Sequence, residues 1–366
     1  MADSRFHGKL AIQQRVLTPY RAAFFDALAA TCDGGLSVFA GAPRPGEAIA
    51  SGTLKTAGFV PAHNLHLLYG SLYLCWQDGL PAWLAGWNPD ALVMEANPRY
   101  LATSTAVRWM KHQNRPVLGW GLGAPLLSGP LAGLRRSRRL SFNRQFDALI
   151  TYSRRGADEY AALGFPAERI FVAPNAVAPR PPRPMPSRSP EFDGKPSILF
   201  VGRLQSRKGV DLLLQACAVL PETVQPRLVI VGDGPERTAL ENMASKVYPS
   251  AEFPGAKHGA ELAPYFSSAD LFVLPGTGGL AVQEAMAFGL PVIMGQGDGT
   301  NDDLVRQANG WHLLDPGSLP GILREALSDV SRLRSMGAES YRIVVEEINL
   351  EKMVEIFIAA LNQLVT

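Results

Sequence analysis

The chain has 366 residues, 47% apolar and 19% charged, with a formal net charge of +2. That length allows two compact domains with separate cores, and the composition excludes a disordered chain. The mild charge argues against nucleic acid as a partner, and Cys32, Cys75 and Cys217 lie too far apart for a zinc spacing or a disulfide framework.

No charge-free apolar run reaches the ~20 residues that a membrane span needs. The opening MADSRFHGKLAIQQRV lacks the apolar core of a signal peptide, so a soluble, cytoplasmic protein is expected. The first half alternates short apolar runs with helical patterns, which predicts parallel β/α units. KLAIQQRVL reads as a strand, RAAFFDALAA as a helix after Pro19, and LSVFA as a second strand. Residues 41–57 read as a loop, NLHLLYG as a strand, and SLYLCWQDGLPAWLAGW as a helix broken near Pro81. DALVME, RPVLGWG, FDALITY and RIFVA complete the strands, separated by the helices RYLATSTAVRWMKHQ, LAGLRRSRRLSFNRQ and RRGADEYAALG. Such a doubly wound sheet gathers ligands at the carboxyl ends of its strands.

Residues 179–196 are mostly proline, serine and charge, and read as a stiff, exposed interdomain linker. The alternation then restarts through SILFVGRL, RLVIVGDGP, AEFPG, DLFVLPG, PVIM and GWHLLD, with helices between them. LPGILREALSDVSRLRSMG and EKMVEIFIAALNQLV read as closing helices. The expected domains are 1–178, 197–345 and a terminal helix over 346–366 that returns to the first.

Within LPGTGGLAVQEAMAFGLPVI, a strand end leads through Gly276, Gly278 and Gly279 into a helix. Glycines there bring bare backbone and a helix N-terminus to polar or anionic oxygens. Glu284, one turn further in, has two acceptor oxygens suited to the vicinal hydroxyls of a ribose. In FVGRLQSRKGVDLLLQA, Gly202 permits a turn and Arg203 and Lys208 lie near a helix start, a pattern suited to a diphosphate. Taken alone, the pattern is more often that of solvated loop cations.

In this order, GRLQSRKG, LVIVGDGPE, AEFPG, ADLFVLPG, GLAVQEAMAFGLPVI and NGWHLLD resemble the C-terminal domain of the family 4 retaining glycosyltransferases, over essentially residues 197–320. The resemblance implies a GT-B fold, two Rossmann-like doubly wound domains facing a cleft. It implies transfer from a UDP-sugar or GDP-sugar to a saccharide or lipid-linked acceptor in cell-envelope synthesis, with no metal and no other cofactor. Arg203 and Lys208 would stabilise the leaving diphosphate, and Glu284 would hold the ribose. Gly202, Asp233, Gly255, Gly276, Gly278, Gly279 and Leu280 would line the donor site.

Two positions depart from the family pattern. A Glu usually stands eight residues before Glu284, where this chain has Gly276, and a His usually follows the strand that here ends at Gly121. Glu95, at a strand end, is a candidate acceptor-binding group or proton acceptor, with Arg21 and Arg99 as further acceptor-side residues. The departures keep open a non-catalytic sugar-nucleotide binder or an epimerase on the same fold. Arg135, Arg136, Arg138, Arg139 and Arg144 share a short helix with several leucines, a pattern for peripheral attachment to an anionic membrane surface or for an acidic glycan.

Overall fold

The computed structural model describes residues 4–365, apart from 45, 46, 48, 49, 298, 300–302 and the side chain of Ser71. The chain divides into two compact units, Met1–Pro179 with Leu350–Thr366, and Arg180–Asn349.

In the first unit the strands are β1 (Leu10–Val16), β2 (Leu36–Gly41), β3 (Gly58–Leu67), β4 (Leu74–Asp78), β5 (Ala91–Glu95), β6 (Val117–Gly121), β7 (Ala148–Thr151) and β8 (Ile170–Val172). They form one sheet in the order β4-β3-β2-β1-β5-β6-β7-β8. Every pairing is parallel except β3 with β4. β5 is apolar along its length and buried except at Glu95, as a strand covered on both faces must be.

The helices are α1 (Pro19–Ala29), α2 (Leu80–Trp87), α3 (Thr103–Lys111), α4 (Ala132–Asn143) and α5 (Arg154–Leu163). Phe24 and Phe25 of α1 pack with Trp120 on one face, while Trp83, Val107 and Tyr160 belong to the core on the other.

Residues 71–87 differ from expectation. Leu74–Asp78 is a strand, and Pro81 stands in the first turn of α2 rather than breaking it. The apolar run hid a two-residue period in which Cys75 and Gln77 point inward. Gln77 is buried because its amide donates to the Gln14 carbonyl and to Asn64.

The second unit holds β9 (Ser197–Val201), β10 (Arg227–Val231), β11 (Glu252–Gly255), β12 (Leu271–Leu274), β13 (Val292–Gly295) and β14 (Gly310–Leu313), in the order β11-β10-β9-β12-β13-β14. All pairs are parallel. Its helices are α6 (Val210–Ala218), α7 (Arg237–Val247), α8 (Ala263–Ser268), α9 (Leu280–Ala287), α10 (Leu319–Leu327) and α11 (Val330–Glu346). Asp329 separates α10 from α11 by accepting the Arg332 amide at an N-cap, so the expected single helix is two. The final helix, α12 (Leu350–Val365), belongs to the first unit, where Phe357 lies 4.9 Å from Phe24 and 5.0 Å from Trp120 between ring centroids.

The proline-rich stretch is not a free linker. Most of it belongs to the second unit, where Arg188 donates to the carbonyls of Phe266, Ser267, Ala269 and Phe288. Arg334 and Tyr341 donate to the carbonyls of Ser189 and Arg183. Extended backbone leaves its own carbonyls free, and α11 supplies their donors.

In each sheet the order reverses once, between β1 and β5 and between β9 and β12. Turns after these four strands are where an open α/β sheet builds its sites.

Candidate functional site

In the second unit, the turns after β9 and β10 are packed together. The amides of Gly202 and Leu204 donate to the carbonyls of Val231 and Asp233, at 3.0 and 2.9 Å. A Cβ on Gly232 would run into the Gly202 carbonyl, so the glycine that permits this approach is Gly232. Arg203 is exposed and lines a cleft of about 790 Å³ with Gly202, Asp233, Gly234, Lys257 and His258. Gly255, at φ +83°, accepts the Gly232 amide at 3.0 Å.

Lys208 faces a different turn. The amides of Gly276 and Thr277 donate to the carbonyls of Lys208 (3.0 Å) and Arg207 (2.9 Å), which joins the loops after β9 and β12. The Lys208 Nζ donates to the Thr277 carbonyl at 2.8 Å and stands where a Cβ on Gly278 would come within 2.5 Å. Burial pushes its ammonium down to about 8, with the neighbouring Arg207 charge adding to the effect. Arg207, which the sequence reading passed over, reaches Thr277 at 3.4 Å. Its only signal was a second cation next to Lys208.

Gly278, Gly279 and Leu280 lead into α9, and no backbone acceptor is recorded for their amides among the described residues. Four such orphan donors open any helix, and here an ammonium stands at Gly278, in the turn that leads to them. Glu284 follows on α9, half-buried, its carboxyl pushed up by burial alone.

In the first unit, the turns after β1 and β5 bring Arg21 and Glu95 into one pocket of about 160 Å³, with Thr18, Tyr100 and Tyr152. Arg21 is 5% exposed, and its guanidinium carbon lies 4.8 to 5.1 Å from the ring centroids of Trp120, Tyr152 and Tyr20. Its Nη1 points at the Met353 sulfur, 3.9 Å away. Glu95 accepts the Arg15 amide. Burial pushes its carboxyl up to about 7, against the pull of that hydrogen bond and of the Arg15 and Arg21 charges. Burial also raises the phenols of Tyr100 and Tyr152. Arg99 does not join them; it is exposed, with its amide on Asn97. Next to this pocket, Glu47 bridges Arg15 and Arg44, each at 2.8 Å. The Arg44 pair is local, but the Arg15 pair spans 32 residues, too many for any local pattern to reveal it.

The two glycines that stand where the resemblance expects a Glu and a His, Gly276 and Gly121, are closed positions. A Cβ on Gly276 would strike the Arg207 carbonyl, and one on Gly121 would strike the Tyr160 hydroxyl. Neither backbone position has room for a side chain as the neighbours stand.

Residues 184–342 match the family model described as glycosyl transferases group 1, a span inside the second unit. A GDP-mannose-dependent alpha-mannosyltransferase of Mycolicibacterium smegmatis is 36% identical over 167 residues, which is 43% of this chain and 42% of that protein. One of Corynebacterium glutamicum is 45% identical over 158 residues, 42% of this chain and 34% of that protein. The chain therefore spans less than half the length of these curated relatives. The crystal structure of Anabaena HepE in complex with UDP is similar at TM-score 0.70 and 16% identity, over 97% of this chain and 99% of that one. The fold is GT-B, two Rossmann-like α/β domains, and the family match lies in the second of them.

Proposed function

We propose that the protein is a retaining glycosyltransferase that moves a sugar from a nucleoside diphosphate donor to a saccharide or lipid-linked acceptor in cell-envelope synthesis. The observation that carries this is the Lys208 ammonium lying against Thr277 and Gly278, in the turn that leads into α9. Cation, helix dipole and bare N–H groups together favour a diphosphate. Arg203, Gly202, Asp233 and Gly255 line the nucleotide side of the proposed donor site, and Glu284 takes the ribose hydroxyls.

The bond from the sugar's anomeric carbon to the diphosphate breaks as the acceptor hydroxyl bonds to the same face. The acceptor proton passes to the leaving phosphate oxygen. Lys208 and Arg203 stabilise the charge that develops there, so the proposed reaction uses no metal and no other cofactor. Glu95 and Arg21 form the acceptor pocket, with Glu95 able to orient the acceptor hydroxyl. Attachment at the inner face of a membrane through Arg135, Arg136, Arg138 and Arg139 belongs to the same proposal.

Calorimetry against UDP, GDP and their sugars, followed by a transfer assay, tests the reading. Two relatives are named for GDP-mannose and one fold neighbour was solved with UDP, so both nucleotides belong in the first screen. The closed positions at Gly276 and Gly121 favour one alternative, a binder without transferase activity. Tight donor binding with neither transfer nor slow donor hydrolysis would select it. Interconversion of the sugar nucleotide without an acceptor would instead select an epimerase.

A further inference from the structure

Between Ala96 and Phe146 the sequence contains no Asp or Glu, while it carries Arg99, Arg108, Lys111, Arg115, Arg135, Arg136, Arg138, Arg139 and Arg144. The last five lie on or beside α4, a helix of which only Asn143 is buried. None of the five takes part in an ion pair among the described residues. Arg135, Arg136 and Arg139 use single nitrogens on the carbonyls of Ser128, Ala162 and Pro125, and neutralise no charge by doing so.

A solvated helix face normally mixes both signs of charge and few large apolar side chains. Here Leu134 and Arg138 stand one turn apart on α4 with the exposed Arg135 beside Leu134, and the exposed Leu131 caps the start of the helix, so leucines and arginines share one exposed surface. Leu131 is 71% exposed and Leu134 50%, and on the preceding segment Leu122 is 49% and Leu126 85% exposed. A slot of about 270 Å³ lies between that segment and α4, lined by Pro125, Leu126, Leu127, Leu163, Arg136 and Arg139.

We infer that this surface docks on an anionic phospholipid bilayer. The arginines meet lipid phosphates, while the exposed leucines and the slot take chain carbons from the same leaflet. Positive charge alone would suit any polyanion; the exposed leucines are useful only where the partner also offers hydrocarbon. Among the described residues no helix is long and apolar enough to cross a membrane, so the contact is of the in-plane kind. The inference rests on the membrane attachment proposed above and adds its apolar component.

The test is co-sedimentation of the full chain with vesicles of phosphatidylcholine alone and of phosphatidylcholine mixed with phosphatidylglycerol. Binding to the mixed vesicles is expected to be about tenfold tighter or more. The double substitution Leu126→Asp and Leu134→Asp should abolish most of that gain while leaving the melting temperature and solution donor binding unchanged. A separate pair, Arg138→Ala with Arg144→Ala, should weaken binding in proportion to the charge removed. Equal binding to both vesicles, or none to either, overturns the inference. So does a leucine variant that still binds as the parent does, or heparin binding that matches the mixed vesicles and ignores the leucines. Donor binding measured in the same preparations reports on the transferase reading independently, so the two can fail separately.

Discussion

The Nζ of Lys208 lies 2.8 Å from the carbonyl oxygen of Thr277, with no carboxylate in the contact. A carbonyl offers only partial negative charge, so this ammonium is available to an anion that enters over Gly278. Lys208→Ala should therefore lower turnover by ~10²-fold or more, the scale of removing one donor to a developing oxyanion. Steady-state rates at saturating donor decide the matter, and near-normal turnover would exclude Lys208 from the chemistry.

Donor affinity should also depend on pH. The lysine is held down to about 8, so its charged form is complete below that value and is lost as pH rises through it. Binding of the nucleoside diphosphate should weaken on going from about pH 7 to about pH 9, by up to roughly tenfold if one charge is lost. Calorimetry at the two pH values measures this. Lys208→Arg, whose guanidinium stays charged, should flatten the dependence.

Glu95 gives a second pH signature. Its folded value of about 7 lies above the ordinary 4.5, so between those values the folded protein holds a proton that the unfolded chain has released. Stability from this group is full below about 4.5, falls as pH climbs to about 7, and is level beyond. Glu95→Gln should remove that slope from melting temperatures. If the Glu95 carboxylate orients the acceptor hydroxyl, kcat/KM should rise through about 7 in the parent and lose that rise in the variant. Arg21→Met should move the midpoint upward, because the Arg21 charge now favours the carboxylate.

Gly276→Ala should cost on the order of 1–3 kcal/mol, as other overpacked sites do. The added methyl would strike the Arg207 carbonyl, and relief requires separating the loops that Gly276 and Thr277 join. Chemical denaturation gives the number, and a stability equal to the parent's would show that these loops move apart freely.

Arg188→Ala should loosen residues 180–196 from the second unit. The guanidinium donates to four carbonyls around the ends of α8 and α9, and its loss leaves part-buried acceptors without donors. Limited proteolysis should then cut this stretch in minutes where the parent resists. An unchanged cleavage pattern would assign the hold to Arg334 and Tyr341 instead.

The alternation of strands and helices was legible because most buried parallel strands are near-continuous apolar runs, as in Ala91–Glu95, Leu271–Leu274 and Val292–Gly295. Leu74–Asp78 was misread because an edge strand with a buried Gln77 does not look apolar on its inner face. The glycine turn and Lys208 could be marked in advance, since both are local. The partner of Lys208 could not: it is a backbone carbonyl 69 residues away, and carbonyls leave no trace in a sequence. Arg21 over the rings of Trp120 and Tyr152, and the Arg15–Glu47 pair, are likewise products of long-range folding.

Because Phe357 packs against Phe24 and Trp120, the first unit lacks part of its own interior until residues 350–365 have left the ribosome. During synthesis the second unit can close first, and the first one waits for α12. A chain cut short after Asn349 would then leave an aromatic socket open to water, and insolubility of that fragment would trace to its beginning rather than to its end.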